Sequence, residues 1–223
     1  MTRNIKGRAI KKWQSNAAAT PAGELRIVGG SLRGRKIVYS GDPRTRPMMD
    51  VTREALFNLA GAWLQDKLAI DLFAGTGAVG FEALSRGAAR AIFVERHIPT
   101  KKIILQNAES LGVSGRVEVI QSDTFFWVNE FLQSGFDQTP WAVFCCPPYA
   151  FYLERQEQML KMLENLFNAA PPGSLFAVES DVRFSMKKLP QAEAWKVRQY
   201  SPAQIAVWRP APEIQPDELN TNH

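Results

Sequence analysis

The sequence predicts an α/β protein, a mostly parallel sheet closed by an antiparallel edge and preceded by a small hairpin. Three observations carry this. From residue 68 onward, short apolar runs alternate with amphipathic helical segments, the pattern of a parallel sheet. A glycine-rich loop stands where the first of these runs turns into a helix. The last two runs lie too close together for a crossover helix, so they pair antiparallel.

The elements follow in order. Residues 1–24 are polar and basic and read as a disordered tail. Residues 25–45 form a hairpin: Leu25-Arg26-Ile27-Val28 and Lys36-Ile37-Val38-Tyr39 flank a turn opened by Gly29-Gly30-Ser31. Thr45-Arg46-Pro47 turns the chain into a main domain over 46–209. Asp50 is the expected N-cap of a helix over 50–65, with Leu56, Phe57, Leu59 and Leu64 on its apolar face. Strands are expected at 68–73, 91–95, 117–120, 141–146, 175–179, 195–200 and 203–208. Helices are expected at 78–86, 98–111, 125–131 and, as one long element, 153–167. Residues 210–223 carry Pro210, Pro212 and Pro216 and read as a loose tail.

Composition narrows the class. The chain has 223 residues, 45% hydrophobic and 22% charged, the balance of a globular protein with a sizeable core. Its two cysteines, Cys145 and Cys146, are adjacent, which excludes a disulfide framework and a four-cysteine zinc site. With two histidines as well, no metal is expected. No apolar run approaches a membrane span, so no membrane contact and a reducing cytoplasm are expected, with a monomer as the favoured state. The net charge of +5 is uneven: residues 1–46 are net +9 and the remainder net −4. Such an arm suits a polyanionic partner, or serves only as a solvated tail.

Asp71-Leu72-Phe73-Ala74-Gly75-Thr76-Gly77-Ala78-Val79-Gly80 has the spacing of a nucleotide-cofactor loop. Glycine permits tight turns and close approach of the backbone, and the helix start offers unpaired N–H groups. Glu95, at the end of the next strand, is placed to accept the hydroxyls of a ribose. This much fits a nicotinamide cofactor as well as S-adenosylmethionine. Asp71 separates them, because a carboxylate in an apolar strand needs a partner and the cationic amino-acid end of S-adenosylmethionine is one. Ser122 and Asp123 end the third strand; Asp123 suits either an adenine amino group or a helix N-cap. Phe125, Phe126 and Trp127 read as core, His97 as a lone loop histidine, and Arg53-Glu54 as surface charge or lid residues.

Cys146-Pro147-Pro148-Tyr149 ends the fourth strand. With Arg26-Ile27-Val28-Gly29-Gly30, Gly34-Arg35-Lys36, Arg46-Pro47, Asp50, Arg53-Glu54-Ala55-Leu56-Phe57-Asn58, the run from Asp71 to Gly87, and Glu95, it makes the chain resemble the bacterial small-subunit (16S) rRNA guanine-N2 methyltransferase family over residues 25–209. The resemblance implies a class I, Rossmann-like methyltransferase fold with a seven-stranded, mostly parallel sheet. It implies S-adenosylmethionine as donor, S-adenosylhomocysteine as product, and 16S rRNA in the small subunit or its assembly intermediate as partner. It places Arg46, Asp50, Asp71, Phe73, Ala74, Gly75, Thr76, Gly77, Glu95, Arg96, Ser122, Asp123 and Cys146 at the cofactor. Cys146, Pro147, Pro148 and Tyr149 fall at the reacting amine, and Arg26, Arg33, Arg35 and Lys36 at RNA phosphates.

Two residues depart from the family pattern: Cys146 stands where Asp or Asn precedes the prolines, and Met48 where Thr follows the Arg-Pro pair. Pro147 and Pro148 stiffen the loop, and Tyr149 suits stacking on a flipped base. A neutral thiol is a weak acceptor. Losing one good acceptor costs about 1.5–3 kcal/mol, on the order of 10–100-fold in rate. A thiolate would recover part of this if cationic neighbours lowered its pKa. Normal cofactor binding with slow or no methyl transfer is therefore expected. Two other readings remain: a methyltransferase fold that binds rRNA without catalysis, and a DNA adenine or cytosine amino-methyltransferase. Covalent attack by Cys146 is disfavoured, because the cysteine precedes the prolines.

Overall fold

A computed structural model describes residues 23–42, 45 and 47–210. The expected tails before residue 23 and after residue 210, and Arg46, lie outside the described residues. The hairpin pairs β1 (Gly23–Arg26) with β2 (Lys36–Tyr39) antiparallel. It begins inside the stretch expected to be tail.

The hairpin is stitched to the main domain. Helices α2 (Ala78–Ser85) and α3 (Ile98–Leu111) lie beneath it. Ser31 N–H donates to the Ser85 carbonyl at 2.7 Å, and Leu32 N–H to Ser85 Oγ at 2.9 Å. A Cβ on Gly30 would stand 1.9 Å from that carbonyl, so this turn can be only glycine. The Asn107 side-chain amide acts as a further strand partner, pairing both the N–H (2.9 Å) and the C=O (2.8 Å) of Val38.

The second sheet has seven strands: β3 (Leu68–Asp71), β4 (Arg90–Val94), β5 (Val117–Ile120), β6 (Trp141–Cys145), β7 (Leu175–Asp181), β8 (Lys196–Tyr200) and β9 (Ala203–Trp208). Their spatial order is β5-β4-β3-β6-β7-β9-β8. Pairs among β3 to β7 are parallel, while β7–β9 and β9–β8 are antiparallel. The predicted class and closing edge are both present. The order reverses between β3 and β6, which opens a crevice at the carboxyl ends of these strands.

One face of the sheet is covered by α1 (Asp50–Ala60), α2, α3 and the hairpin. The other is covered by α4 (Thr124–Gln133), α5 (Phe151–Glu154) and α6 (Gln156–Ala169). Two helices differ from expectation. The first ends at Ala60, where Gly61 takes φ +61° and the chain tightens into a 3-10 turn over Gly61–Leu64. Its N-cap is Met49 rather than Asp50, which is the first helical residue. The long helix expected over 153–167 is two helices that break at Arg155, whose guanidinium lies 4.1 Å from the Phe125 ring centroid and 5.0 Å from that of Phe151.

Candidate active site

Because β3, β4, β5 and β6 run parallel, the loops that follow them emerge at one edge of the sheet. A cavity of about 330 Å³ lies there, within the size of small-molecule sites. Its wall includes Phe73 and Gly75 after β3, Glu95 and Arg96 after β4, Ser122 and Asp123 after β5, and Pro148 after β6. These are residues the sequence selected. It also includes Thr45, Val94, His97, Thr124 and Phe151, which it did not. Val94 and Thr124 adjoin selected residues at strand and helix ends, so position alone was a signal for them.

Glu95 organises the near wall. One carboxylate oxygen accepts the Gly75 N–H at 2.9 Å, and the other accepts the His97 N–H at 2.8 Å. His97 Nδ1 lies 2.9 Å from Thr100 Oγ1 and 3.9 Å from the Asp42 carboxylate, which places the loop below the hairpin against this wall. Asp123 caps α4, accepting from Phe125 and Phe126 N–H at 3.0 and 3.4 Å, and faces the cavity as well. The N-cap reading is therefore present, in a residue that also lines the cavity.

Asp71 stands behind the wall rather than in it. It is 1% exposed and accepts the Gly80 N–H at 3.0 Å, tying the end of β3 to the first turn of α2. Burial pushes its carboxyl up to about 7, against the pull of that hydrogen bond. The glycines divide their work. Gly75 takes φ +49° with nothing closer than 3.8 Å to an added Cβ, and it lines the cavity. Gly77 takes φ +76°, and its Cβ would press on Phe81 at 2.9 Å. A Cβ on Gly80 would reach 2.3 Å from the Phe93 ring. The last two serve helix entry and helix–sheet packing. Ala74 and Thr76 are buried beside them.

The opposite wall is the loop after β6. Cys145 is a core residue, as expected; Tyr152 Oη donates to its sulfur at 3.4 Å, and burial pushes the thiol up to about 12. Cys146 is half-buried. Burial first, then the Glu179 and Asp71 carboxylates, hold its thiol well above the ordinary range. Among the described residues the charged groups acting on it are acids rather than the cations a thiolate needs, which favours the neutral thiol. Pro147 is buried and Pro148 exposed, and the Pro148 carbonyl accepts the Phe151 N–H at 2.9 Å. Tyr149 Oη donates to Glu179 Oε1 at 3.0 Å.

Arg53 was read as surface charge or a lid residue, yet its side chain is 0% exposed. It donates to the Arg26 carbonyl at 2.8 Å and to Asp50 at 2.9 Å, and its Nε lies 3.8 Å from Glu82. Glu82, equally buried, accepts from Val28 N–H at 2.9 Å and Arg86 Nε at 2.8 Å. Asp50 thus belongs to a knot joining α1, the hairpin and α2, not to the cavity wall. Trp127 is core, whereas Phe126 is 62% exposed and Phe125 packs edge-on to Phe73 beside the cavity. Arg26, Arg33, Arg35 and Lys36 are all exposed on the hairpin. Three have protein partners: Asp50 at 3.7 Å for Arg26, the Ser110 carbonyl at 2.5 Å for Arg35, and Glu24 at 2.7 Å for Lys36. Among the described residues, no group of three or more His, Cys, Asp or Glu could hold a metal, and no helix is long and apolar enough to cross a membrane.

Residues 25–209 match the family described as conserved hypothetical protein 95. The ribosomal RNA small subunit methyltransferase D of Escherichia coli K12 is 33% identical over 169 residues, 76% of this chain and 81% of that one. The protein of that name in Haemophilus influenzae is 36% identical over 174 residues, 77% of this chain and 85% of its own. The chain belongs to the ribosomal RNA small subunit methyltransferase D family. The solved yhhF protein of Escherichia coli aligns at TM-score 0.65 and 26% identity, covering 84% of this chain and 98% of that one. An RNA methyltransferase of Salinibacter ruber, solved with S-adenosyl-L-homocysteine, aligns at TM-score 0.55 and 20% identity, covering 77% and 98%. That second likeness concerns the fold, which is the class I methyltransferase fold that the resemblance implied. The donor set suits the family's cofactor: an acid after β4, a capped helix start after β5 and an unhindered glycine after β3 share one cavity.

Proposed function

We propose that the protein is an S-adenosylmethionine-dependent methyltransferase acting on the exocyclic N2 of a guanine in small-subunit rRNA. The observation that carries this reading is the single cavity shared by Gly75, Glu95 and Asp123 on one side and Pro148 on the other, in a member of this family.

Glu95 would hold the ribose hydroxyls, Ser122 and Asp123 the adenine edge, and the Gly75 backbone the amino-acid end. Phe73 and Phe151, whose rings meet edge-on at 5.9 Å, wall the apolar part. When bound, the cofactor supplies an electrophilic methyl group on a sulfonium. The chain's own residues then have to aim a guanine amine at it. The Pro147 carbonyl is the loop acceptor assigned to that amine, since Pro148's is taken by Phe151. Tyr149 stacks on the base from a position fixed through its hydroxyl. Positioning of this kind supplies much of a rate enhancement. Arg26, Arg33, Arg35 and Lys36 would meet RNA phosphates, with Arg33 the one for which no side-chain partner is seen among the described residues.

A second reading, an rRNA-binding protein with catalysis lost, rests on the neutral thiol at Cys146. Labelled methyl transfer to purified small subunits lacking the modification decides between them. N2-methylguanine in the product is the expected outcome. Subunit binding without transfer supports the second reading, and transfer to DNA alone overturns both.

A further inference from the structure

Attack by a ring-conjugated amine needs an acceptor that draws its N–H bonds into line, and Cys146 is a poor one. A carboxylate does stand beside this loop, on the neighbouring strand. Parallel pairing sets Cys145 against Val178, so Cys146 and Glu179 come next, at the carboxyl ends of β6 and β7. Glu179 follows the run Leu175-Phe176-Ala177-Val178 in β7 and is 7% exposed, a position where a charged group requires partners. One partner is Tyr149, whose hydroxyl donates to Oε1 at 3.0 Å. The Tyr149 bond takes one of the about four acceptor sites that a carboxylate offers.

We propose that Glu179 supplies, from β7, the amine acceptor that Cys146 does not supply from β6, while fixing the tyrosine that stacks on the base. This rests on the methyl-transfer reading above. In the step, the N2 lone pair forms a bond to the methyl carbon and the carbon–sulfur bond breaks with its electron pair kept on sulfur. Positive charge passes to the amine, which sheds one proton to the Glu179 carboxylate and thence to water. The strong upward shift of the Cys146 thiol, to which Glu179 contributes, agrees with a carboxylate reaching this point. The slow transfer anticipated from Cys146 alone then does not follow, because the acceptor has moved rather than vanished.

The test compares wild type, Glu179→Gln, Cys146→Asp and the double variant in methyl transfer to small subunits lacking the modification. Donor affinity by calorimetry and thermal melting are measured alongside. Glu179→Gln keeps an oxygen for Tyr149 and loses the charge. It is expected to lower kcat about 10–100-fold, with donor affinity within about twofold. In the Glu179→Gln background, Cys146→Asp is expected to restore at least about fivefold, a larger factor than Cys146→Asp gives in the wild-type background, which a structural role for Glu179 would not produce. If Glu179→Gln does not bind donor, Glu179→Asp, retracted by one methylene, takes its place and should lose rate that Cys146→Asp restores. Wild-type kcat in the Glu179 variant, or a double variant no faster than the single, overturns the proposal and leaves the methyl-transfer reading intact. A wild type that transfers no methyl group overturns both.

Discussion

On the β3–β4 side of the cavity, acidic side chains are held by main-chain donors. Glu95 accepts from Gly75 and His97, and Asp71 from Gly80. On the β6–β7 side, Glu179 and Cys145 are instead held by side-chain donors, the hydroxyls of Tyr149 and Tyr152. Main-chain donors are set by the path of the chain, so the first wall cannot be altered without altering the fold. Side-chain pairs can be exchanged while the strands stay in place. The cofactor wall should therefore report damage as lost stability, and the acceptor wall as lost rate.

The strongest way to sharpen this contrast lies on α2, the helix that begins at the glycine loop. Glu82→Ala would leave the buried Arg53 with only the half-exposed Asp50 as its acid, take the partner from Arg86, and strip the acceptor from Val28 N–H. Breaking a buried pair in this way costs about 3–5 kcal/mol. Chemical denaturation should show that loss, with the hairpin and α1 loosening together. A loss below about 1 kcal/mol, the level of an exposed pair, would show that the knot is not what joins them.

Asp71 gives an effect with a sign. Its carboxyl, raised by burial to about 7 from 3.8, keeps in the folded state a proton that the unfolded chain has released. Stability therefore falls as pH rises between about 4 and 7, and is level above that. Asp71→Asn retains an oxygen for Gly80 N–H and does not titrate. Its stability relative to wild type should grow across that window and then hold, by an amount on the order of 2–4 kcal/mol. Parallel stability curves from pH 4 to pH 8 would contradict the burial account.

How far the letters of the chain disclosed all this follows the same division. Gly75 of the glycine loop, Glu95 and Asp123 stand at strand ends and helix starts, which periodicity locates, and they line one cavity. Arg53 was hidden because its buried acid, Glu82, comes from another helix; yet it shares a helical face with Leu56, Phe57 and Ala60, a spacing that marked it as inward. The same period explains Phe126, which turns outward while Thr124, Trp127 and Val128 turn in. Glu179 carried the sign that made Asp71 conspicuous, an acid in a buried strand, but its meaning depends on which strand lies alongside. The break at Arg155 has no turn residue to announce it.

The smallest predicted effect divides Glu179 from its tyrosine. Tyr149→Phe removes the hydroxyl that donates to Oε1 but keeps the ring and the carboxylate. A neutral donor to a charged acceptor at a half-buried site is worth about 1.5–3 kcal/mol at most, and solvent or substrate can replace part of it. If the hydroxyl serves to orient the ring, kcat should fall only a few-fold, with donor affinity and the melting temperature nearly unmoved. That is a smaller loss than for Glu179→Gln, because the carboxylate remains to meet the amine. Equal losses in the two variants would mean that Glu179 works solely by holding Tyr149, and the acceptor wall would then be a platform rather than a source of negative charge.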